Sequence, residues 1–229
     1  AQYIHALNNY PTWSSLDMKQ ILVYSDSLTW GIIPGTRRRL DFNDRWTGFM
    51  ENLLNQSETK VRVIENCLNG RRTVWDDPFL PGRKGVDGIQ QVIEMHSPLD
   101  LVILALGTND FQSMHDFNAW HSAQGIRTIV NRIKTAPVEP GMPIPPILLV
   151  TPPIIETPKG LIAPKFKGGE NKIIGLSEEY KKISDDMQCH YFDCSSVTTA
   201  SKVDGIHLDK DQHHLVGAAI SPLVASILS

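Results

Sequence analysis

Long apolar runs, cysteine and an excess of one charge are all scarce in this chain of 229 residues. Its longest apolar run, residues 101–106, has the length of a strand and falls short of the roughly 18 residues that indicate a membrane-spanning helix. The three cysteines, an odd number, favour a reducing compartment over a disulfide-stapled secreted domain. Since the first residues also lack a signal-peptide pattern, we expect a cytoplasmic protein with no membrane partner.

The charge balance and the histidine spacing exclude two further classes. Lys and Arg number 22 against 25 Asp and Glu, for a net charge of -3, so the chain offers no basic field to a phosphate backbone. The eight histidines form no H-E-x-x-H motif, and no paired C-x-x-C motif occurs. We therefore expect no nucleic-acid partner, no metal and no cofactor.

The order of the remaining patterns predicts one α/β domain. Residues 1–17 are interpreted as an irregular arm or a non-native extension, and residues 18–229 as a single domain. Apolar, β-rich runs alternate five times with segments of helical spacing. The predicted strands are residues 20–24, 60–66, 100–106, 146–151 and 190–193. The predicted helices are residues 44–56, 86–96, 118–134, 170–188 and 210–228, the last capped by Asp209.

The strands are continuous apolar runs, such as LVILAL and ILLV, and do not alternate with polar residues. This pattern is typical of a parallel sheet with helices on both faces, which predicts a three-layer α/β/α fold with a five-stranded, doubly wound sheet of flavodoxin-like type. Ligands of such folds bind beyond the carboxyl ends of the strands. Long loops rich in Gly and Pro, at residues 29–43, 73–85, 136–145 and 152–169, are expected to wall a pocket or to contact another subunit.

The predicted strand ends carry the groups needed for acyl transfer. Ser27 follows the first strand, where its hydroxyl can act as a nucleophile if a base removes the proton. Asp204 and His207 lie three residues apart around Gly205, so one carboxylate can hold the imidazole of the same short loop.

Donors for a tetrahedral oxyanion are available beside the nucleophile. The Ser27 N–H, the Gly70 N–H and the Asn109 amide are the candidates, since Gly70 has no side chain to keep its backbone away. Each signal is weak alone, because a serine after a strand is more often a turn former and D-x-x-H arises by chance. Their joint order at successive strand ends is far more specific.

The chain resembles the SGNH hydrolases, also called the GDSL esterases and lipases. The resemblance runs from about residue 19 to the C-terminus and is carried by four segments, YSDSLTWG at residues 24–31, NCLNGR at 66–71, GTND at 107–110 and DGIH at 204–207. It implies that Ser27 is the nucleophile, that Gly70 and Asn109 complete the oxyanion hole with the Ser27 N–H, that His207 is the base and that Asp204 orients it. Side chains next to these motifs are expected to border the substrate; they are Asp26, Leu28, Trp30 and Ile206.

Three further segments resemble a subgroup of arylesterases and acyltransferases that form ring-like oligomers. These segments are SLTWG, RWTG at residues 45–48 and DDP at 76–78. The resemblance implies a homo-oligomer.

One position departs from the family, which has Gly where this chain has Ser25. A side chain there would crowd the turn if that residue needed a positive φ, and we expect reduced or retuned activity.

The leading hypothesis is therefore a serine esterase that acts on small carboxylic esters, with short acyl or aryl groups, through an acyl-enzyme on Ser27. The same site could transfer the acyl group to an alcohol or a peroxide if water is excluded. Alternatively, Ser25 has disabled the site and the chain is a ligand-binding module. A phosphoacceptor or flavin-binding domain of similar strand order is a weaker option.

Overall fold

A parallel sheet of five strands forms the middle layer of the protein. The computed structural model describes residues 17–229, so the predicted arm, apart from Asp17, lies outside the described residues. The strands are β1 (Met18–Ser25), β2 (Lys60–Cys67), β3 (Leu101–Ala105), β4 (Ile147–Thr151) and β5 (His190–Asp193). They are all parallel and lie in the order β2-β1-β3-β4-β5. All five predicted strands are confirmed, with ends shifted by no more than two residues.

Helices cover both faces of this sheet. They are α1 (Ser27–Trp30), α2 (Trp46–Leu54), α3 (Gly85–His96), α4 (Ala119–Lys134), α5 (Ala163–Phe166), α6 (Gly169–Lys172), α7 (Leu176–Asp186) and α8 (Lys210–Leu228). Short 3-10 turns occur at Phe42–Asp44, Thr108–Phe111, Gly160–Ile162 and Cys194–Ser196.

Two apolar cores, one on each face, hold the layers together. On one face α3, α4 and α7 pack against strand residues such as Leu22 and Leu104. On the other face α2 and α8 pack against Ile21 and Ile103. Successive residues of a strand point to opposite faces, so β1, β3 and β4 have apolar residues at consecutive positions, as the continuous runs predict. The strand β2 differs from the prediction, because exposed and buried residues alternate over residues 60–63.

Two predictions about the helices are wrong in detail. The predicted helix over residues 170–188 is divided into α6 and α7, because Gly175 between them adopts a left-handed conformation with φ of 86°. Asp209 does occupy the residue before α8, but its carboxylate forms no capping bond. It accepts a hydrogen bond from the Ser201 hydroxyl at 2.9 Å instead.

The strand register brings the functional segments together. Ser25, the last residue of β1, pairs with Cys67 of β2 on one side and with Ala105 of β3 on the other. The segments that leave these three strands therefore start at one edge of the sheet, beside the point where the strand order reverses. Within residues 17–229, no helix has both the length and the apolar character needed to cross a bilayer.

Candidate active site

Ser27 lies at the sharp turn between β1 and α1. Asp26 precedes the helix in an extended conformation, and its carboxylate accepts a hydrogen bond from the Leu28 N–H at 3.0 Å. This cap fixes the first turn, and Ser27 is left nearly buried with its hydroxyl directed at His207. The Ser27 N–H has no acceptor within residues 17–229, so it can donate to a ligand.

The predicted Ser27–His207–Asp204 constellation is brought together. His207 Nε2 lies 3.1 Å from Ser27 Oγ, and His207 Nδ1 lies 2.7 Å from Asp204 Oδ2. The second oxygen of Asp204 accepts hydrogen bonds from the Ile206 and His207 N–H groups, at 2.9 and 3.0 Å. One carboxylate thus holds both the loop and the ring, which leaves Nε2 free to exchange a proton with the Ser27 hydroxyl.

Hydrogen bonding keeps Asp204 ionised despite its burial. Burial by itself would raise the pKa of this carboxyl group, but the hydrogen bond and charge of His207, with the two backbone N–H groups, outweigh it and lower the pKa. An ionised Asp204 favours the His207 tautomer that carries its proton on Nδ1, which is the tautomer that can accept a proton at Nε2.

Gly205 allows this loop to form. Its φ is 78°, and a Cβ atom added to it would lie 2.5 Å from the Thr157 carbonyl oxygen. The loop is further tied to the preceding segment, because the Glu156 N–H donates to the Gly205 carbonyl and the Lys159 N–H to the Asp204 carbonyl, each at 3.0 Å. Both the left-handed conformation and the close approach therefore require glycine.

The two other predicted oxyanion donors lie at the ends of β2 and β3. Gly70 has a φ of 81°, and its N–H has no acceptor within the described part of the chain. Asn109 is buried; its Oδ1 accepts from Gln112 Nε2 at 2.9 Å and its Nδ2 donates to Asp26 Oδ2 at 3.2 Å. Since an amide nitrogen carries two hydrogens, one of them stays available for a ligand.

Two buried aspartates, Asp26 and Asp110, connect these segments through hydrogen bonds. Burial raises the pKa of Asp26 to about 6, against the lowering effect of the Leu28 N–H, His207, Arg71 and Asn109. Burial likewise raises the pKa of Asp110 to about 6. Asp110 accepts from the Thr73 N–H and hydroxyl at 2.9 and 2.8 Å and from the Ser122 hydroxyl at 2.7 Å, so it joins the segment after β3 to the segment after β2.

Ser25 is accommodated without backbone strain. Gln188 is the one non-glycine residue with a positive φ among residues 17–229, so the crowding considered for Ser25 does not arise. The Ser25 hydroxyl donates to the Ala105 carbonyl at 2.6 Å and lies 2.7 Å from Thr29 Oγ1, which accepts from Trp46 Nε1 at 3.0 Å. Because the single Ser25 proton goes to Ala105, Thr29 must donate to Ser25, which gives one continuous chain of hydrogen bonds.

An open cavity of about 210 Å³ lies beside the imidazole. Two of the long loops wall it, as the sequence predicts for loops of this kind. Besides Asp204 and His207, its lining residues are Gly35, Thr36, Arg37, Leu161, Ile162 and Lys165. None of these was predicted as a site residue, because a loop residue carries no periodic signal and its direction depends on how the loop folds back on the sheet.

The expected substrate-bordering residues lie in different places. Asp26 and Leu28 line a smaller cavity beside the turn that carries Ser27, together with Ser25, Thr29 and Trp46. Ile206 is buried in the core under α3, α4 and α7. Trp30 lines neither cavity, and the Arg39 guanidinium covers its ring at 4.7 Å.

The three cysteines are buried or half-buried. Cys67, Cys189 and Cys194 are free thiols, and burial raises the pKa of each of them. Within residues 17–229, no group of three His, Cys, Asp or Glu side chains is placed to hold a metal ion.

Comparison with known proteins identifies relatives of this arrangement. The chain matches the GDSL-like lipase/acylhydrolase family over residues 26–215. The aryl esterase of M. smegmatis is 34% identical, with a TM-score of 0.85 over 92% of this chain and 100% of its own. A carbohydrate acetylesterase from Sinorhizobium meliloti is 33% identical, with a TM-score of 0.84 over 91% of this chain and 99% of its own. A comparison with curated protein sequences finds no significant match.

Proposed function

The chain belongs to the GDSL-like lipase/acylhydrolase family and is a carboxylic ester hydrolase, and we propose that it cleaves small carboxylic esters through an acyl-enzyme on Ser27. Its five-stranded α/β/α architecture is the SGNH hydrolase fold. The observation that carries the proposal is the 3.1 Å contact between Ser27 Oγ and His207 Nε2, with Asp204 at 2.7 Å on the far side of the ring.

The first half of the reaction transfers the acyl group to the enzyme. Ser27 Oγ attacks the ester carbonyl carbon while His207 Nε2 takes its proton, and the carbonyl π electrons move onto the oxygen. The Ser27 N–H, the Gly70 N–H and the Asn109 amide donate to that oxyanion. The intermediate collapses when the bond to the alcohol oxygen breaks, and His207 returns the proton to the departing alcohol.

The second half restores the enzyme. A water molecule loses a proton to His207 Nε2 as its oxygen attacks the acyl carbon, and a second oxyanion forms at the same donors. The bond between the acyl carbon and Ser27 Oγ then breaks, His207 returns the proton to Ser27, and the carboxylic acid leaves. Asp204 stays ionised throughout and stabilises the charged ring.

The cavity supports a short or aromatic substituent. Leu161 and Ile162 are the apolar side chains of its lining, whereas Thr36 and Lys165 are polar. Similarity to an aryl esterase and to a carbohydrate acetylesterase supports small acyl groups as well. We infer that acetyl and other short-chain esters, including aryl esters, are cleaved faster than long-chain esters.

The test compares hydrolysis of p-nitrophenyl acetate and p-nitrophenyl octanoate by wild type, Ser27→Ala and Ser226→Ala. Ser226 is an exposed serine of α8 and serves as the matched control. Wild type and Ser226→Ala should prefer the acetate, and Ser27→Ala should lose about 10⁴-fold or more in kcat, since the nucleophile is gone. Mass spectrometry of the rapidly quenched wild type should show one added acyl group. An inactive wild type, or full turnover by Ser27→Ala, would refute the acyl-enzyme.

A further inference from the structure

Arg72 is a fully buried cation that lies directly behind the oxyanion donors. Its guanidinium has five N–H groups, and each of them has an acceptor. Nη1 donates to the Gly70 carbonyl at 2.8 Å and to Asp77 Oδ2 at 2.7 Å; Nη2 donates to Gln112 Oε1 at 2.7 Å and to Met114 Sδ at 3.5 Å; Nε donates to His115 Nε2 at 3.1 Å.

One of these bonds holds the Gly70 segment. The Gly70 carbonyl is fixed by Arg72 Nη1, and the preceding carbonyl, that of Asn69, accepts from Arg83 Nε at 3.3 Å. The Gly70 N–H and the Asn69 carbonyl lie in one peptide plane, and Arg83 holds this plane. The next peptide plane contains the Gly70 carbonyl, and Arg72 holds it. Together the two bonds set the direction of the Gly70 N–H. Without these bonds a glycine would rotate more freely than any other residue.

A second bond reaches Asn109 through Gln112. Arg72 Nη2 donates to Gln112 Oε1, so the nitrogen of that amide must face the other way, and it donates to Asn109 Oδ1 at 2.9 Å. Occupation of Asn109 Oδ1 directs the Asn109 NH₂ group toward Asp26 and the nucleophile turn. The guanidinium therefore determines which end of the Asn109 amide faces the substrate.

The cation is balanced within the cluster. Asp77 lies 2.7 Å from Nη1 and also accepts from the Phe79 and Leu80 N–H groups. Burial, with the charges of Arg72 and Lys172, lowers the pKa of His115, so its Nε2 is a neutral acceptor for Arg72 Nε. A lysine has three donors on a single nitrogen and could not reach all of these acceptors at once.

We propose that Arg72 is a positioning residue that, with Gln112 as its relay, aligns both the Gly70 N–H and the Asn109 amide on the developing oxyanion. This inference rests on the proposed esterase function. Neither side chain touches the reacting atoms. Since hydrogen bonds to an oxyanion strengthen as charge develops, their misalignment should lower kcat and leave ester KM close to its wild-type value.

The experiment uses Arg72→Lys and Gln112→Glu. The first keeps the charge and loses the planar fork, and the second keeps the side-chain shape but places an acceptor against Asn109 Oδ1. The matched control is Arg45→Lys, because Arg45 is also buried and forms a paired contact with Glu65, at 2.9 and 2.6 Å, without contact to either oxyanion donor.

Four quantities are measured for each protein: kcat and KM on p-nitrophenyl acetate, the melting temperature, and the inhibition constant of benzeneboronic acid. This compound adds to a serine hydroxyl and forms a tetrahedral anion. Arg72→Lys and Gln112→Glu should each lose about 10- to 100-fold in kcat, less than removal of a whole oxyanion donor costs, and should bind the boronate more weakly by a similar factor. Arg45→Lys should lose stability but retain kcat and boronate affinity.

The outcomes separate this inference from the proposed function. Absence of Ser27-dependent turnover in wild type would refute the esterase proposal itself. An active wild type with both variants at its kcat, or with kcat lowered but boronate affinity unchanged, would refute the role of Arg72 alone. If Arg72→Lys does not fold, Gln112→Glu decides the question, since that substitution leaves the Arg72–Asp77 pair intact.

Discussion

The carboxylate of Asp26 lies between the backbone that begins α1 and the amide of Asn109. Its two oxygens accept from the Leu28 N–H and from Asn109 Nδ2, at 3.0 and 3.2 Å. The side chain is 2% exposed, so ionisation costs solvation energy that these two bonds recover only in part. A group placed this way connects the turn that carries Ser27 to the Asn109 amide and makes that connection sensitive to pH.

The raised pKa of Asp26 predicts how stability changes with pH. A carboxyl group whose pKa rises from 3.8 to about 6 on folding favours the native state while protonated, and this contribution is lost as pH rises through 6. Asp26→Asn removes the dependence. The difference in unfolding free energy, variant minus wild type, should therefore increase by about 2 kcal/mol as the pH rises from 4 to 7.

Urea denaturation of Asp26→Asn and wild type at several pH values measures this difference. Asp211→Asn, which removes an exposed carboxylate from the first turn of α8, is the control for general charge effects. A constant difference between Asp26→Asn and wild type from pH 4 to pH 7 would contradict the prediction.

At the scale of elements, the loop after β5 is as important as the strands. It carries Asp204 and His207 on a turn that ends at Leu208 just before α8, and it is tied to the segment after β4 through Glu156 and Lys159. Its shape depends on Gly205, whose backbone lies against the Thr157 carbonyl. The position of His207 is therefore set by contact between two loops.

Gly205→Ala should damage both stability and activity. The added Cβ meets the Thr157 carbonyl oxygen at 2.5 Å and the φ of 78° is strained for alanine, at a cost of about 1–3 kcal/mol. Displacement of His207 by even about 1 Å should lower kcat by about 100-fold.

Gly141→Ala is the matched control for this substitution. Its φ is 88°, but no atom lies within 4 Å of the added Cβ, so it adds the backbone strain without the contact. Melting curves and initial rates on p-nitrophenyl acetate compare the two variants. Equal loss of stability and full activity in both would show that the contact with Thr157 is unimportant.

At the scale of the whole molecule, charge is distributed unevenly. The net charge is -3, yet the cavity beside His207 presents Arg37 and Lys165. Neither side chain has a carboxylate within ion-pair distance among residues 17–229, and residues 1–16 contain no Asp or Glu. Two cations in the cavity lining should attract an anionic group on the substrate.

This predicts a salt-dependent preference for anionic esters. We compare kcat/KM for mono-p-nitrophenyl succinate with kcat/KM for the uncharged p-nitrophenyl butyrate. The ratio of the two should fall several-fold from low salt to about 0.5 M salt, because charges more than a few ångströms apart are then screened from each other. Lys165→Gln should lower the ratio at low salt, whereas Lys167→Gln, an exposed lysine outside the cavity lining, should not. A ratio independent of salt would contradict the prediction.

Much of the fold could be predicted, for identifiable physical reasons. Strands β1, β3 and β4 have apolar residues at consecutive positions, a pattern that burial on both faces explains, and α3, α4 and α8 follow the predicted spans closely. The division of the helix over residues 170–188 could not be predicted. The break is a three-residue turn that ends at Gly175, and a helical pattern tolerates one isolated glycine.

The fold class and the candidate site residues could be predicted from the sequence, because Ser27, Gly70, Asn109, Asp204 and His207 each follow a predicted strand, and parallel strands bring such positions to one edge. The residues that surround them are known from the three-dimensional packing alone. Arg72 and Gln112 look like ordinary polar residues in the sequence, and Leu161 and Lys165 lie in a loop without periodicity. Their roles depend on distances between segments remote along the chain, and such distances are set by packing.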